Sequence, residues 1–139
     1  MGLDVSFYEG EYTDKIWDVE KRTYITIPDL KNSKILEIRK PYLFLDWVAR
    51  IHNLDKLENQ CAYPVTHKQA YELLKTIDET DPNDIRKTFP CGQWSDGDDK
   101  WELQYHGTYM WELDALKSAI LTVLSWNKYA DTFWIYIDH

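Results

Sequence analysis

Apolar positions are densest in residues 41–53, PYLFLDWVARIHN, and their pattern predicts a buried helix. Pro41 suits the first helical turn, because the N–H that proline lacks would have no partner there. Beyond it, apolar residues leave only a narrow polar strip of Asp46, Arg50 and Asn53. A helix that is apolar on most sides has to be covered on several of them. We therefore expect the rest of the chain to pack around this helix.

Alternation of apolar and polar residues, or a run of β-branched and aromatic residues, predicts strands elsewhere. Gly10 ends the first of these segments, and Pro28 ends the second. The predicted strands are residues 3–8, 19–27, 101–105 and 132–137, and residues 30–40 fit either a short strand or a lead into the central helix. We expect unpaired edge strands, the C-terminal one among them, and these would permit a homodimer.

Apolar residues at helical spacing predict two more helices. Thr66 is the expected N-cap of the first, over residues 67–78. The second covers residues 109–126 and follows Gly107-Thr108, which ends the strand before it. Two connections complete the chain: a polar one over residues 54–63, before a break at Pro64, and a long acidic loop over residues 78–100. A loop of that length is usually functional or mobile.

These elements predict one α+β domain over residues 1–139, with about three helices packed on a small, mostly antiparallel sheet. A chain of this length can bury about two-thirds of its unfolded surface. It contains seven Trp and ten Tyr, so much of the core has to be built from rings. The polar ends of those rings then need partners or solvent.

The net charge of the chain makes some classes of function less favourable than others. The net charge of −8 and the pI of about 4.9 disfavour direct binding to nucleic acid or to an anionic membrane, since both reward Lys and Arg. Cys61 and Cys91 form neither a C-x-x-C pair nor a disulfide framework. No apolar run approaches the ~20 residues of a membrane span, and the first residues lack the pattern of a signal peptide. We therefore expect a cytoplasmic protein.

Several short motifs resemble a group of small phage and prophage proteins of Gram-positive bacteria that open with Met-Gly-Leu-Asp-Met-Tyr-Leu. The motifs lie at Met1-Gly2-Leu3-Asp4, Arg39-Lys40, Asp46-Trp47-Val48, residues 65–77 and residues 109–113, and an aromatic C-terminal strand follows. The resemblance implies a phage-associated protein of the host cytoplasm, of unknown biochemical role and without established catalytic residues. Leu45 stands where that family usually has a histidine, so a shared fold is implied rather than a shared reaction.

Arg39, with Asp4, forms the first candidate site. One hypothesis is that Arg39 binds an anionic ligand such as a phosphate. The hypothesis we favour is a structural ion pair that fixes the N-terminal strand on the central helix. In the first case, His106 would be a second polar anchor and Trp47 or Trp111 a wall of a nucleotide-like pocket.

The spacing of residues gives little indication of a metal site or of a catalytic nucleophile. The four histidines show no metal-ligand pattern, and residues 96–99, although acidic, lack the spacing of an EF-hand loop. Cys91 lacks the sequence context of the known cysteine nucleophiles. We predict no metal, no cofactor and no catalytic residue.

Large rings concentrate beside the acidic loop, at Trp94, Trp101, Tyr105, Tyr109 and Trp111. Core packing is the ordinary use of such rings, but one strand face cannot bury all of them. Trp and Tyr are also enriched in binding hot spots, because they bury a large area at a low entropy cost. We therefore predict a surface here that binds a partner protein, a base or a sugar.

The sequence thus favours a non-enzymatic accessory protein of phage type, which binds a host protein or a small ligand through an aromatic and acidic surface. In one version that surface imitates nucleic acid and occupies the basic groove of a host enzyme. The alternatives are a nucleotide-like pocket or small enzyme that uses Arg39 and His106, and a structural component of the virion. The predicted contact residues are Arg39, Trp47, Trp94, Trp101, Tyr105, His106, Tyr109 and Trp111.

Overall fold

Six strands and four helical segments are present in the computed structural model, which describes residues 4–11, 13–39, 41–55, 57–58, 60–81, 85–89 and 106–138. The strands are β1 (Asp4–Tyr8), β2 (Thr13–Asp18), β3 (Thr23–Pro28), β4 (Lys34–Arg39), β5 (Ala62–Thr66) and β6 (Thr132–Asp138). The helices are α1 (Tyr42–Ile51), α2 (His67–Asp78), the single turn α3 (Ile85–Thr88) and α4 (His106–Trp126). The predicted α+β class is confirmed.

The main sheet has four antiparallel strands in the order β4-β1-β6-β5, while β2 and β3 pair only with each other. The expectation that the C-terminal strand is an edge strand is wrong, because β6 is paired on both sides. Alternating polarity reveals which face of a strand is buried but carries no information about the two edges. The C-terminal strand thus gives no support to a homodimer, but β4 and β5 are edge strands of this sheet, so the homodimer stays a prediction.

The central helix is confirmed: α1 lies in the core, and Leu43, Phe44 and Leu45 are fully buried. It packs on the sheet face that carries Val5 and Phe7, and the rings of Phe7 and Phe44 are stacked with their centroids 5.4 Å apart. Pro41 occupies the cap position just before the first turn. The helices thus share one face of the main sheet, and burial of that face is the main stabilising contribution.

The predicted strand over residues 19–27 is wrong in its first half. Residues 19–22 form the turn of a β2–β3 hairpin, and β3 begins at Thr23. The Asp18 carboxylate accepts hydrogen bonds from the backbone N–H groups of Glu20 and Lys21 at 3.0 and 3.1 Å, and Arg22 has a φ of 52°. An aspartate that bonds to the backbone ahead of it produces a turn even where β-branched residues surround it.

The polar connection over residues 54–63, with its break at Pro64, is also only partly correct. Strand β5 includes Pro64, and it is an edge strand, where proline is tolerated because one row of N–H groups has no strand partner. The carbonyl of Pro64 contacts the ring nitrogen Nε2 of His52 at 2.8 Å. Thr66 caps α2 as predicted and forms a capping box with Gln69.

The structure differs from two predictions near the acidic loop: the loop itself, and the strand end at Gly107-Thr108. Within residues 78–100, α3 forms a helical turn, and Ile85 and Phe89 are fully buried in the core. The last helix already contains Gly107-Thr108, which therefore do not end a strand. The predicted strand over residues 101–105 lies outside the described residues. The acidic loop is thus not wholly a surface segment, because α3 contributes to the core.

Candidate functional site

Arg39 lies at the end of β4, opposite Asp4 of β1 in the antiparallel register. Its Nε atom is 3.4 Å from the Asp4 carboxylate, and the two side chains are 71% and 37% exposed. The ion pair therefore joins two strands at the surface, rather than a strand and the central helix. An exposed pair of this kind contributes little to stability, about 0–1 kcal/mol.

Trp47 belongs to the core, with only 8% of its surface exposed, and it stacks on Phe44 with a centroid distance of 6.1 Å. Little of the indole is left for a ligand. Three of the other predicted contact residues, Trp94, Trp101 and Tyr105, lie outside the described residues. His106, Tyr109 and Trp111 lie on α4, and the structure describes their backbone but not their side chains.

Two histidines whose side chains the structure describes, His52 and His67, have structural partners. His52 contacts the Pro64 carbonyl, and the Nε2 atom of His67 lies 2.8 Å from the side-chain amide of Asn127. Among the described residues, no group of three or more His, Cys, Asp or Glu side chains is placed to hold a metal ion. Cys91 and the acidic residues 96–99 lie outside them.

A cleft lies between the β2–β3 hairpin and the sheet face opposite the helices. The register pairs Ile16 with Ile25 and places Ile27 on the same hairpin face, and all three line the cleft. Ala62 and Tyr136 line the opposite wall. The volume of about 530 Å³ lies within the range of ligand pockets, which is roughly 300–1,000 Å³. The cleft is thus large enough for a sizeable apolar group.

Acidic groups predominate around this cleft. Among the described residues that line it, Asp18, Glu20 and Glu58 carry carboxylates, and Lys21 carries the one positive charge. Cys61 also lines the cleft; burial raises the pKa of its thiol, and the nearby Glu58 carboxylate, 3.8 Å from the sulfur, raises it further. A thiol with a raised pKa is a poor nucleophile at neutral pH. The arrangement therefore suits recognition of a cationic, apolar group better than a reaction.

The opposite face of the hairpin carries an exposed aromatic pair. Trp17 and Tyr24 are cross-strand partners whose rings meet edge to face at 5.1 Å, and they are 52% and 66% exposed. The pair was not predicted, because the pattern of residues 19–27 indicated one strand rather than a turn followed by a strand. A signal was present: apolar residues occupy both faces of residues 16–17 and 24–27, which a strand with one solvent face does not need.

Glu112 is a second feature that the sequence did not reveal. Its carboxyl group is buried where α4 meets α1 and accepts a hydrogen bond from the N–H of Leu43 at 2.9 Å. Burial raises the pKa of Glu112 to about 8, although the Leu43 N–H acts in the opposite direction. Because Pro41 supplies no side-chain cap to α1, Glu112 performs that role from another helix.

Comparison with known proteins gives no relative: no protein-family model, no curated protein and no solved structure matches this chain. Among the described residues, no helix has the length and apolar character needed to cross a membrane.

Proposed function

We propose that this protein is a non-enzymatic accessory protein of phage or prophage type, which acts in the host cytoplasm by binding a host protein through the β2–β3 hairpin. One observation carries the proposal: the hairpin exposes Trp17 and Tyr24 on one face and lines an apolar cleft with the other. Large exposed apolar patches mark interaction sites in soluble proteins.

The hairpin's own structure supports a binding role. A two-stranded hairpin is marginally stable in water unless something packs on it, and most positions of β2 and β3 are exposed. Ile16 is exposed as well as the aromatic pair, and Val19 in the turn is more exposed still. A partner that covers these residues would bury apolar area that the chain alone leaves in water.

The alternative, a nucleotide-like pocket built from Arg39, Trp47 and His106, receives less support. Arg39 is paired with Asp4 on the surface, and Trp47 is buried in the core. The cleft carries more carboxylates than ammonium groups, so it would repel a phosphate. The aromatic residues at positions 94–111 remain predicted contact residues, and an acidic surface there would add to the attraction of a basic partner.

Cross-linked affinity purification from the bacterium that carries this sequence tests the proposal. The bait proteins are the tagged wild type, the double variant Trp17→Ser/Tyr24→Ser, and the control Tyr71→Ser, which removes an exposed tyrosine from α2. We expect the wild type and the control to enrich one host protein. The double variant should enrich that protein at least about tenfold less. Reconstitution of the purified pair should give the same order of affinities.

Two results would contradict the proposal. One is a host partner that the double variant, shown to be folded by near-ultraviolet circular dichroism, retains at the wild-type level. The other is turnover of a substrate by the purified protein, since the proposal excludes catalysis.

A further inference from the structure

We propose that the cleft between the hairpin and the sheet binds a large apolar side chain on a positively charged segment of the partner protein. This inference rests on the proposed function and adds the chemistry of the partner. It assigns two roles to the hairpin: its outer face contacts the partner's surface, and its inner face covers the inserted side chain.

The apolar part of the proposal follows from the cleft walls. Ile16, Ile25 and Ile27 contribute one side, and Ala62 and Tyr136 the other, around a volume of about 530 Å³. Tyr136 also contacts Tyr8 edge to face at 6.5 Å, so this wall is held in place by its neighbours. Transfer of an aliphatic or aromatic side chain from water into such a site lowers the free energy.

The charge of the partner follows from the groups around the cleft. Asp18, Glu20 and Glu58 outnumber Lys21 by three to one, and the whole chain carries a net charge of −8. Complementary charge favours encounter with a Lys- or Arg-bearing segment, and like charge disfavours a second copy of this chain in the same place.

The surroundings of the cleft favour a macromolecule over an isolated small ligand. Leu30 and Leu54 line the cleft and are themselves exposed, and on the far side of the hairpin the Trp17–Tyr24 pair extends the apolar surface. A small ligand enclosed by the cleft would leave these residues in water, whereas a protein segment can cover them at the same time.

Three short capped peptides form the first test: Lys-Trp-Leu-Lys, its acidic counterpart Glu-Trp-Leu-Glu, and Lys-Ser-Ser-Lys, which has no apolar side chain. We expect calorimetry at low salt to detect the first with a Kd below about 1 mM. Both comparison peptides should bind at least about tenfold more weakly, and added salt should weaken the binding of the first peptide. Equal binding of the basic and acidic peptides, or no binding of the first, would overturn the proposal.

Variants locate the site. Ala62→Leu fills the cleft and should weaken binding of the Lys-Trp-Leu-Lys peptide at least about tenfold. Asp18→Asn/Glu58→Gln removes two carboxylates and should weaken binding of the same peptide about fivefold. Glu72→Gln on α2 is the matched charge control and should leave binding unchanged. Chemical denaturation of each variant establishes that it is folded before binding is measured.

The two proposals can fail separately. If the peptide binds but Ala62→Leu does not weaken it, the cleft is not its site and this inference is overturned. The host complex could still require Trp17 and Tyr24, and the proposed function would then stand. If the complex does not require that pair, the proposed function fails, whatever the peptides do.

Discussion

Asn127 lies directly after α4 and is buried, and its side chain contacts three other parts of the chain. Its Oδ1 atom accepts a hydrogen bond from the N–H of Gly10 at 2.8 Å. Its Nδ2 atom lies 3.2 and 3.0 Å from the carbonyl oxygens of Ala130 and Thr132, and 2.8 Å from His67. One amide thus joins the ends of β1 and α4 to the beginnings of β6 and α2.

We predict that Asn127→Ala lowers the free energy of unfolding by about 2–4 kcal/mol, because one partly buried N–H and two carbonyl groups lose the side-chain amide that they bond to. Urea denaturation followed by fluorescence measures the change. Asn32→Ala is the control: the Asn32 amide donates to Asp29 at the surface, and its loss should cost less than about 1 kcal/mol. Equal effects of the two substitutions would contradict this account of Asn127.

Glu112 makes stability depend on pH. Its pKa is raised from the ordinary value of 4.5 to about 8 in the folded state, so the folded protein holds a proton that the unfolded chain releases. The contribution is fully present below the unfolded pKa and is lost as pH rises through the folded one. We predict a fall in the free energy of unfolding of about 3–4 kcal/mol between about pH 5 and about pH 8.

Denaturation at a series of pH values checks this prediction with two variants. Glu112→Gln keeps an oxygen that can accept from Leu43 but cannot ionise, so most of the pH dependence should disappear. Asp114→Asn, at an exposed position of the same helix, should keep it. An unchanged slope in Glu112→Gln would contradict the raised pKa, because the pH dependence would then come from other groups.

At the scale of elements, α2 shows what local sequence can determine. The Thr66 hydroxyl accepts from the N–H of Gln69 at 3.1 Å, and the Gln69 side chain accepts from the N–H of Thr66 at 3.0 Å. Both bonds lie within four residues, so the sequence pattern contains the whole motif. The cap of α1, in contrast, comes from Glu112, 69 residues away from Leu43.

We predict that Thr66→Ala costs about 1 kcal/mol of stability, because the first turn of α2 loses its side-chain acceptor. Thr122→Ala is the matched control within α4, where the hydroxyl donates to the Ser118 carbonyl and supplies no cap. That substitution should be neutral or slightly stabilising. Thermal unfolding of both variants measures the difference, and a cost of equal size in both would contradict the capping argument.

The whole molecule is asymmetric. Helices cover one face of the four-stranded sheet and form the core, while the other face is approached by a hairpin that pairs with no strand of that sheet. The inner strands β1 and β6 carry fully buried residues such as Val5 and Ile135, whereas the hairpin strands are mostly exposed. Stability is therefore unevenly distributed between the two parts.

We predict that hydrogen-bonded amides of β2 and β3 exchange with solvent at least about a hundredfold faster than those of β1 and β6, because local opening of the hairpin leaves the core intact. Native-state hydrogen exchange by NMR measures both sets in one sample. Bound partner should slow exchange in the hairpin, since its exposed residues would then be covered. Equal protection of hairpin and sheet in the free protein would contradict this division.

Local patterns in the sequence were sufficient for α1, α2 and the buried face of the last strand, because each depends on spacing within one segment. Phe133, Ile135 and Ile137 repeat every two residues, and that period alone identifies the core face of β6. Tertiary structure decided that β6 is central, and that the exposed rings of the described chain include Trp17 and Tyr24. The cleft, the Glu112 cap and the Asn127 contacts join residues far apart in the sequence, and only packing of the whole chain brings them together.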